Sequence, residues 1–467
     1  MTDSLTWLRS MRVRFLLPGL VLFCSLPAAP AAPVSFAQQI VPLLVDQCVE
    51  CHRAEKAKGG YRLDTFEQLL KPGDSDEAAV TPGKPESSEF FELIATHDED
   101  DRMPKKADPL PEKDIALVRQ WILEGAKFDG RDAKAMLATL LPQKDIQSPM
   151  KYPRPIAVTA MALNGDGKVL VTNGYHEVLS WDPESGKLRG RISRLPERVL
   201  GLSFVKGGPL LAVAGGSPGR SGEVWLVDYA NPSERKRLAQ LRDCALCAVS
   251  TPDGSVLVTA GADNRVRAFA LPEGKPMWDL EAHADWILNL AMSPDGKHVA
   301  SASRDRTAKV FDVQTGTVEG TFTGHEVAVL SVAFSPESDQ VISGDASGEM
   351  HRFRLDGEGI KDTTIRPGGR TEILALGFLN AETPVAVLGN GVATTIDTKS
   401  RQGKAMLARH DERVNAVLVS GPEESRQIIS ASHDGQVRVV QARRAEKDGR
   451  PSLEVSEVRR FVASPGW

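Results

Sequence analysis

The sequence predicts a multidomain chain in which a small all-α domain precedes an all-β domain of seven repeated four-stranded units. Three observations carry this reading. A Cys48-Val49-Glu50-Cys51-His52 motif is followed by Ile115, Val118 and Ile122 at helical spacing. From about residue 156 the chain becomes periodic, with tight-turn signals at Asn164-Gly165-Asp166-Gly167, Thr251-Pro252-Asp253-Gly254, Ser293-Pro294-Asp295-Gly296 and Ser335-Pro336-Glu337-Ser338, the last three each 42 residues apart. Finally, 467 residues are too many for one core.

The chain opens with Arg9, Arg12 and Arg14, an apolar run from Phe15 to Leu26 and the small-residue stretch Ala28-Ala29-Pro30-Ala31-Ala32. This pattern predicts a secretory signal peptide over residues 1–31. The run is shorter than the roughly 20 residues a bilayer needs, so no permanent membrane span is expected. Cleavage after Ala31 leaves Ser35 in place to cap a helix, with Gln38 three residues later. The expected address is periplasmic or otherwise exported. The net charge of −5 becomes about −7 without the leader, whose Asp3 and three arginines carry +2, and no basic block stands out. Nucleic acid is therefore not an expected partner.

A helix is expected from Ser35 into the cysteine motif, with a kink at Pro42. Two thiols three residues apart on one turn reach the two vinyl groups of a single porphyrin, and the adjacent imidazole then sits under the iron. The pentapeptide thus predicts one covalently attached haem c, with Cys48 and Cys51 as thioether sites and His52 as proximal iron ligand. A chance cysteine pair or a redox dithiol would not require export, whereas this attachment takes place outside the cytoplasm. The conventional distal ligands between Arg53 and Gly130 are His97 and Met103. Met103, 51 residues beyond His52 and followed by Pro104, is preferred; His97 lies in the acidic stretch His97-Asp98-Glu99-Asp100-Asp101. A second helix is expected with Pro111 at its first position, Glu112 and Asp114 in its first turn and Gly125 past its end. Trp121 reads as a core residue.

Cys48 to His52, Lys58-Gly59-Gly60-Tyr61-Arg62-Leu63-Asp64, Pro82-Gly83-Lys84-Pro85-Glu86-Ser87, Met103-Pro104 and Trp121-Ile122 with Gly125-Ala126 occur in this order. Together they resemble the planctomycete-type cytochrome c domain, over about residues 36–130. The resemblance implies the same thioether sites, with His52 proximal and Met103 distal. Arg53 replaces a glycine often found after the haem histidine, and Lys105 a second proline often found after Met-Pro. Lys105 and Lys106 would then place positive charge near the haem edge. The expected divisions are a cytochrome c (haem) domain over 32–130, a linker with a short helix over 131–155 and a propeller over 156–467.

Within the β region each repeat is expected to supply a strand, a turn, a second strand, a third ending in an aromatic-Asp pair and a fourth, the pattern of one propeller blade. Repeats would start near Val158, Val199, Cys244, Trp286, Val327, Ile373 and Val414. The pattern resembles WD repeats, whose buried His, Ser/Thr, Asp and Trp form a hydrogen-bonded array. His283, Ser301, Asp305 and Phe311 come closest; His410, Ser430 and Asp434 keep three polar members; Thr259, Asp263 and Phe269 lack the histidine. His325 and Ser343 begin another, with Ser347 where Asp is expected. Such sets repeat from blade to blade and so read as structure rather than as a hydrolase triad. Cys244 and Cys247, three apart in a strand, read as packing residues, too far apart for a disulfide. No phosphate-cradling Gly loop and no metal-binding histidine cluster is evident. The outermost strand of the last blade would come from Leu453 to Val458 or from the segment before the first.

The favoured function is electron transfer between ferric and ferrous iron, with the propeller docking a redox partner protein, or another protein or a glycan. Filled axial positions leave no site for a small substrate, so a catalyst is less favoured than a carrier. Two alternatives remain. One is a two-cofactor periplasmic redox enzyme, by analogy with two-haem nitrite reductases, which would need a propeller ligand from His176, His298, His351 or His433. The other is a haem-based redox sensor whose propeller recruits a partner.

Overall fold

The computed structural model describes residues 33–54, 56–105, 107–130, 132–141, 148–205, 208–355, 364–447 and 450–466. The expected signal peptide lies outside the described residues. Ser35 caps the first helix as expected, its Oγ accepting from the Gln38 N–H at 3.0 Å. A wide turn over Phe36–Ile40 passes into helix α1, Val41–Gln47, and the change of winding falls at Pro42, which has no N–H to donate. Short helix α2, Phe66–Leu69, and helix α3, Glu89–Ala95, follow. Helix α4 spans Glu112–Leu123, and Pro111 sits just outside it with an extended ψ of 140°, as a cap rather than the first helical residue. Gly125, at φ 99°, ends that helix.

These helices share one core. Phe36, Phe66, Trp121 and Phe128 meet with ring centroids 4.7–6.5 Å apart. The Trp121 indole N–H donates to the Lys127 carbonyl at 3.0 Å, so this buried ring leaves no polar atom unpaired. The core extends past residue 130: Leu137 is fully buried in it, and its N–H donates to the Asp64 carbonyl at 2.8 Å. A single turn, Leu137–Leu140, is the helical piece expected in the linker.

The rest of the described chain is β-structure. Strands Met161–Leu163, Leu170–Asn173, Tyr175–Trp181, Leu188–Phe204, Leu210–Ser217, Ser221–Asp228 and Arg235–Leu241 form one seven-stranded antiparallel meander. Leu188–Phe204 is long enough to be the outer strand of one unit and the inner strand of the next. Four-stranded sheets follow from Ala245–Ser250 to Lys275–Glu281, from Ile287–Met292 to Val318–Phe322, from Ile373–Asn380 to Gln402–Arg409, and from Val414–Ser420 to Arg450–Val462. Between the second and third of these lies a three-stranded sheet, Val329–Phe334, Gln340–Asp345 and Met350–Arg354. Ile365 adds an isolated bridge to Met350 there. Each expected repeat start falls at, just before or within an innermost strand. Cys244 and Cys247 are buried free thiols at the start of the second sheet.

The sheets pack face to face through alternating apolar residues, and the last meets the first. Val158, Leu170, Leu179 and Trp181 share a core with Ile429, Ala431, Val437 and Val439. The outermost strand of the final sheet is Arg450–Val462, paired along Gln436–Lys447, which resolves the two alternatives left by the sequence.

Polar arrays staple the sheets internally. His283 Nδ1 lies 2.8 Å from Asp305 Oδ2 and its Nε2 2.7 Å from Ser301 Oγ. Burial disfavours the Asp305 carboxylate, but Thr307, the Ala284 N–H and His283 outweigh it and hold the group at about 2. In the following sheet His325 binds Ser343 and Asp345, each at 2.8 Å. The carboxylate therefore comes from Asp345, two residues before the expected position occupied by Ser347, whose own hydroxyl donates to Asp345. Where the sequence lacks a histidine, Arg267 takes its place beside Asp263 at 2.6 Å.

The array of the final sheet is looser. His410 Nε2 meets Ser430 Oγ at 2.9 Å, but Asp434 stands 3.9 Å from Nδ1. Burial consequently pushes the His410 imidazole down to about 4, from an ordinary 6.5. Between those pH values the unfolded chain binds the proton and the folded chain does not, so stability falls as pH drops from 6.5 towards 4. Urea denaturation across that range should show this loss in the wild type and a shallower one in His410→Gln; equal slopes would remove His410 as the cause.

Candidate functional site

The Cys48–His52 motif is wound by the end of α1. The Cys48 N–H donates to the Leu44 carbonyl at 2.9 Å, and those of Cys51 and His52 both donate back to the Cys48 carbonyl at 3.2 Å. This turn holds the two thiols, unbridged and half-buried, three positions apart on one winding. Burial, with the neighbouring Cys51, pushes the Cys48 thiol up to about 12.

His52 is held from two directions. Its carbonyl accepts from the Leu63 N–H at 2.9 Å, and its Nδ1 lies 3.2 Å from the Tyr61 carbonyl. A carbonyl can only accept, so Nδ1 carries the proton and Nε2 is left as the ring's lone-pair nitrogen. That is the tautomer a metal-bound histidine needs, with the outer contact fixing the ring. Tyr61 is itself anchored, its hydroxyl donating to the Leu69 carbonyl at 2.8 Å and its ring meeting His52 edge-on.

The glycines before Tyr61 explain how its carbonyl comes to face His52. Gly59 and Gly60 both have positive φ, 63° and 65°, and turn the chain sharply. A Cβ on Gly60 would sit 2.0 Å from an Asp74 carboxylate oxygen. Farther on, Gly83 at φ 78° brings its N–H within 2.7 Å of the Ile122 carbonyl on α4. Buried Ser88 then ties the chain before α3 back to Thr81 and Lys84.

Met103 is half-buried against the same helical core as Cys48, and its N–H donates to the Leu93 carbonyl on α3 at 2.8 Å. His97 is exposed, in keeping with its acidic neighbours. Lys105 is also exposed, and Lys106 lies outside the described residues. Two unbridged thiols on one turn, an imidazole with an oriented Nε2 and a thioether on the same core together fit haem c: Cys48 and Cys51 would carry it, with His52 and Met103 at the iron.

The propeller histidines raised as possible second-cofactor ligands separate. His176 Nδ1 faces the Leu195 carbonyl at 3.3 Å, His298 pairs with Glu319 at 2.6 Å, and His433 is exposed. His351 is buried and joins His325 and Asp345 in a group whose potential ligand atoms lie within 4.8 Å of one another. The sequence shows no such histidine cluster, and the structure brings these three side chains together. Strand register, pairing His351 with Ser343, creates the cluster; spacing along the chain does not reveal it.

Residues 48–107 match the family model for planctomycete cytochrome C, and residues 274–312 and 316–351 match that of the WD domain, G-beta repeat. The chain joins a planctomycete-type cytochrome c domain to WD repeats. It is also 29% identical over 159 residues to the guanine nucleotide-binding protein subunit beta-like protein 1 of mouse, an alignment covering 32% of this chain and 46% of that protein. The chain thus spans about half the length of this curated relative. The expected fusion of the two modules stands.

Gly60→Ala should lower the thermal stability of the helical domain by about 1–3 kcal/mol, because a Cβ is strained at this φ and meets Asp74. Differential scanning calorimetry would read it, and an unchanged transition would show that the turn relaxes freely.

Proposed function

We propose that this protein is an exported c-type cytochrome, carrying one covalently attached haem and passing electrons while its WD-repeat domain docks a protein partner. The observation that carries the reading is the Cys48–His52 turn with Nδ1 of His52 turned to the Tyr61 carbonyl. Haem, when bound, supplies one-electron chemistry by cycling between ferric and ferrous iron. Cys48 and Cys51 would hold it covalently, and His52 Nε2 and Met103 Sδ would be its iron ligands. The aromatic core of Phe36, Phe66 and Trp121 keeps the surroundings apolar. Two iron ligands supplied by the chain would favour electron transfer over chemistry on a small substrate at the iron.

In this reading residues 1–31 are the signal peptide that directs the chain to the periplasm or beyond it, where such attachment takes place. No helix among the described residues is long and apolar enough to cross a membrane. The haem domain runs from about 32, and the propeller from about 156 to the end. With Leu188–Phe204 counted as shared between two units, the sheets support the reading of seven blades. The WD repeats, and a relative whose printed name is that of a G-protein beta-like subunit, support a protein rather than a glycan on the propeller.

Cys51→Ser, produced with cytochrome c maturation machinery, should lose most covalent haem in a pyridine-haemochrome assay; full incorporation would reject the attachment site. Met103→Ala should keep its haem, lose the weak ferric band near ~695 nm that accompanies Met ligation, and shift to a lower potential. An unchanged spectrum would remove Met103 as ligand and turn attention to His97.

A further inference from the structure

The polar arrays of four sheets are related by strand register. Opposite the Ser or Thr of the array stands a permanent cation in three of them: Arg267 opposite Thr259, Lys309 opposite Ser301 and Arg438 opposite Ser430. Each cation is engaged. Arg267 meets Asp263 at 2.6 Å, Lys309 donates to the Ala282 carbonyl at 2.6 Å, and Arg438 meets Glu457 at 3.1 Å. In the three-stranded sheet the equivalent residue, opposite Ser343, is His351. A permanent charge has been exchanged for an imidazole at the one array that also contains an intact His-carboxylate contact within a fully buried trio.

We propose that His325, Asp345 and His351 bind a single borderline first-row divalent cation, with zinc the representative ion. Two imidazoles and a carboxylate are a donor set this class of ion takes. All three side chains are buried, the imidazole centroids are 4.4 Å apart, and one potential ligand atom from each lies within 4.8 Å of the others. Tetrahedral ligands at about 2.0–2.2 Å from an ion stand roughly 3.3–3.6 Å apart, so on loading the 2.8 Å contact of His325 Nδ1 with Asp345 Oδ2 must open by roughly 0.5–0.8 Å, while an atom at the 4.8 Å limit moves in by about 1 Å.

The surrounding contacts hold these ligands in position. Oδ1 of Asp345 accepts from the Ser347 N–H at 2.9 Å, the Ser347 hydroxyl at 2.8 Å and the Glu349 N–H at 2.9 Å, which turns Oδ2 towards His325. Ser343 Oγ, 2.8 Å from His325 Nε2, accepts from that nitrogen once the ion takes Nδ1. The exchange is a tautomer shift within a neutral ring and releases no proton. Glu349 stands beside the trio, with Oε2 3.6 Å from His351 Nε2 and its other oxygen paired with Arg366, but lies outside the three-ligand group. Phe322, with its centroid 5.6 Å from His325 and 5.2 Å from His351, walls one side with apolar surface. The ion restores in this sheet the positive charge that Arg267, Lys309 and Arg438 bring to the others.

The site is independent of the haem reading and is tested beside it. Full-length haem-loaded protein, stripped with a chelator and titrated with zinc alone, should take up one ion per chain in the wild type by calorimetry and elemental analysis. His351→Arg installs the cation of the sister sheets, so it should fold while binding that zinc at least ~100-fold more weakly. Asp345→Asn should weaken binding in the same direction. Thermal melting should rise with zinc in the wild type and stay fixed in His351→Arg. Equal zinc uptake and equal melting shifts in wild type and His351→Arg would overturn the proposal. So would a wild-type chain that binds no zinc, leaving a purely hydrogen-bonded array.

Discussion

The β region depends on one closure, the meeting of its first and last sheets. An open row of sheets would leave unpaired faces at both ends, which is a liability in water. Here the Val158 N–H donates to the Ser432 carbonyl at 3.0 Å, and the Asn415 side chain donates to the Val158 carbonyl at 2.9 Å. Ile156 binds Ser464 Oγ, and Tyr152 binds the Pro465 carbonyl. The entering segment is thus stitched to the last sheet and the final residues by backbone groups together with the Asn415 and Ser464 side chains. Behind the seam lies Glu177, fully buried, which accepts from Arg191 and from the Tyr152 hydroxyl at 2.6–2.7 Å. A buried carboxylate is tolerated only with such partners, and losing one typically costs about 3–5 kcal/mol.

The helical domain rests on local geometry instead. His52 and the carbonyl that orients it are nine residues apart, joined by the loop whose Gly59-Gly60 turn no other residue pair would take without strain. Short-range chain chemistry prepares a ring nitrogen for a metal, and the aromatic core supplies the apolar setting. The haem-ligand turn is thus fixed by near neighbours, while the closure of the β region joins residues some three hundred positions apart.

That difference decides how much is legible in the sequence. The Ser35 cap, the Cys48–His52 turn, the end of α4 at Gly125 and the start of each β repeat depend on neighbouring residues, and all can be read from them. Pro111 reads one position too far into its helix, because a missing N–H suits the cap and the first turn alike. Leu137 reads as linker, since the mostly apolar run from Met136 to Leu141 is too short to show a helical or strand period. Ser347 stands at the spacing expected of the carboxylate because a fixed spacing assumes a fixed hairpin, whereas Asp345, two residues earlier, reaches the same imidazole. The grouping of His351 with His325 and Asp345 is invisible for a related reason: it exists only through strand register.

The anchoring of residues 149–152 also sets where mechanical load enters the molecule. Arg191 donates to the carbonyls of Pro149 and Met150, and Tyr152 is fastened both to Glu177 and to Pro465. Tension drawn along the backbone from residue 149 meets these bonds before it reaches the first strand, Met161–Leu163. Because they engage the first sheet and the chain terminus together, a tug divides across the seam instead of peeling one strand from the ring, and the ring can act as a rigid mount for whatever grips the other end.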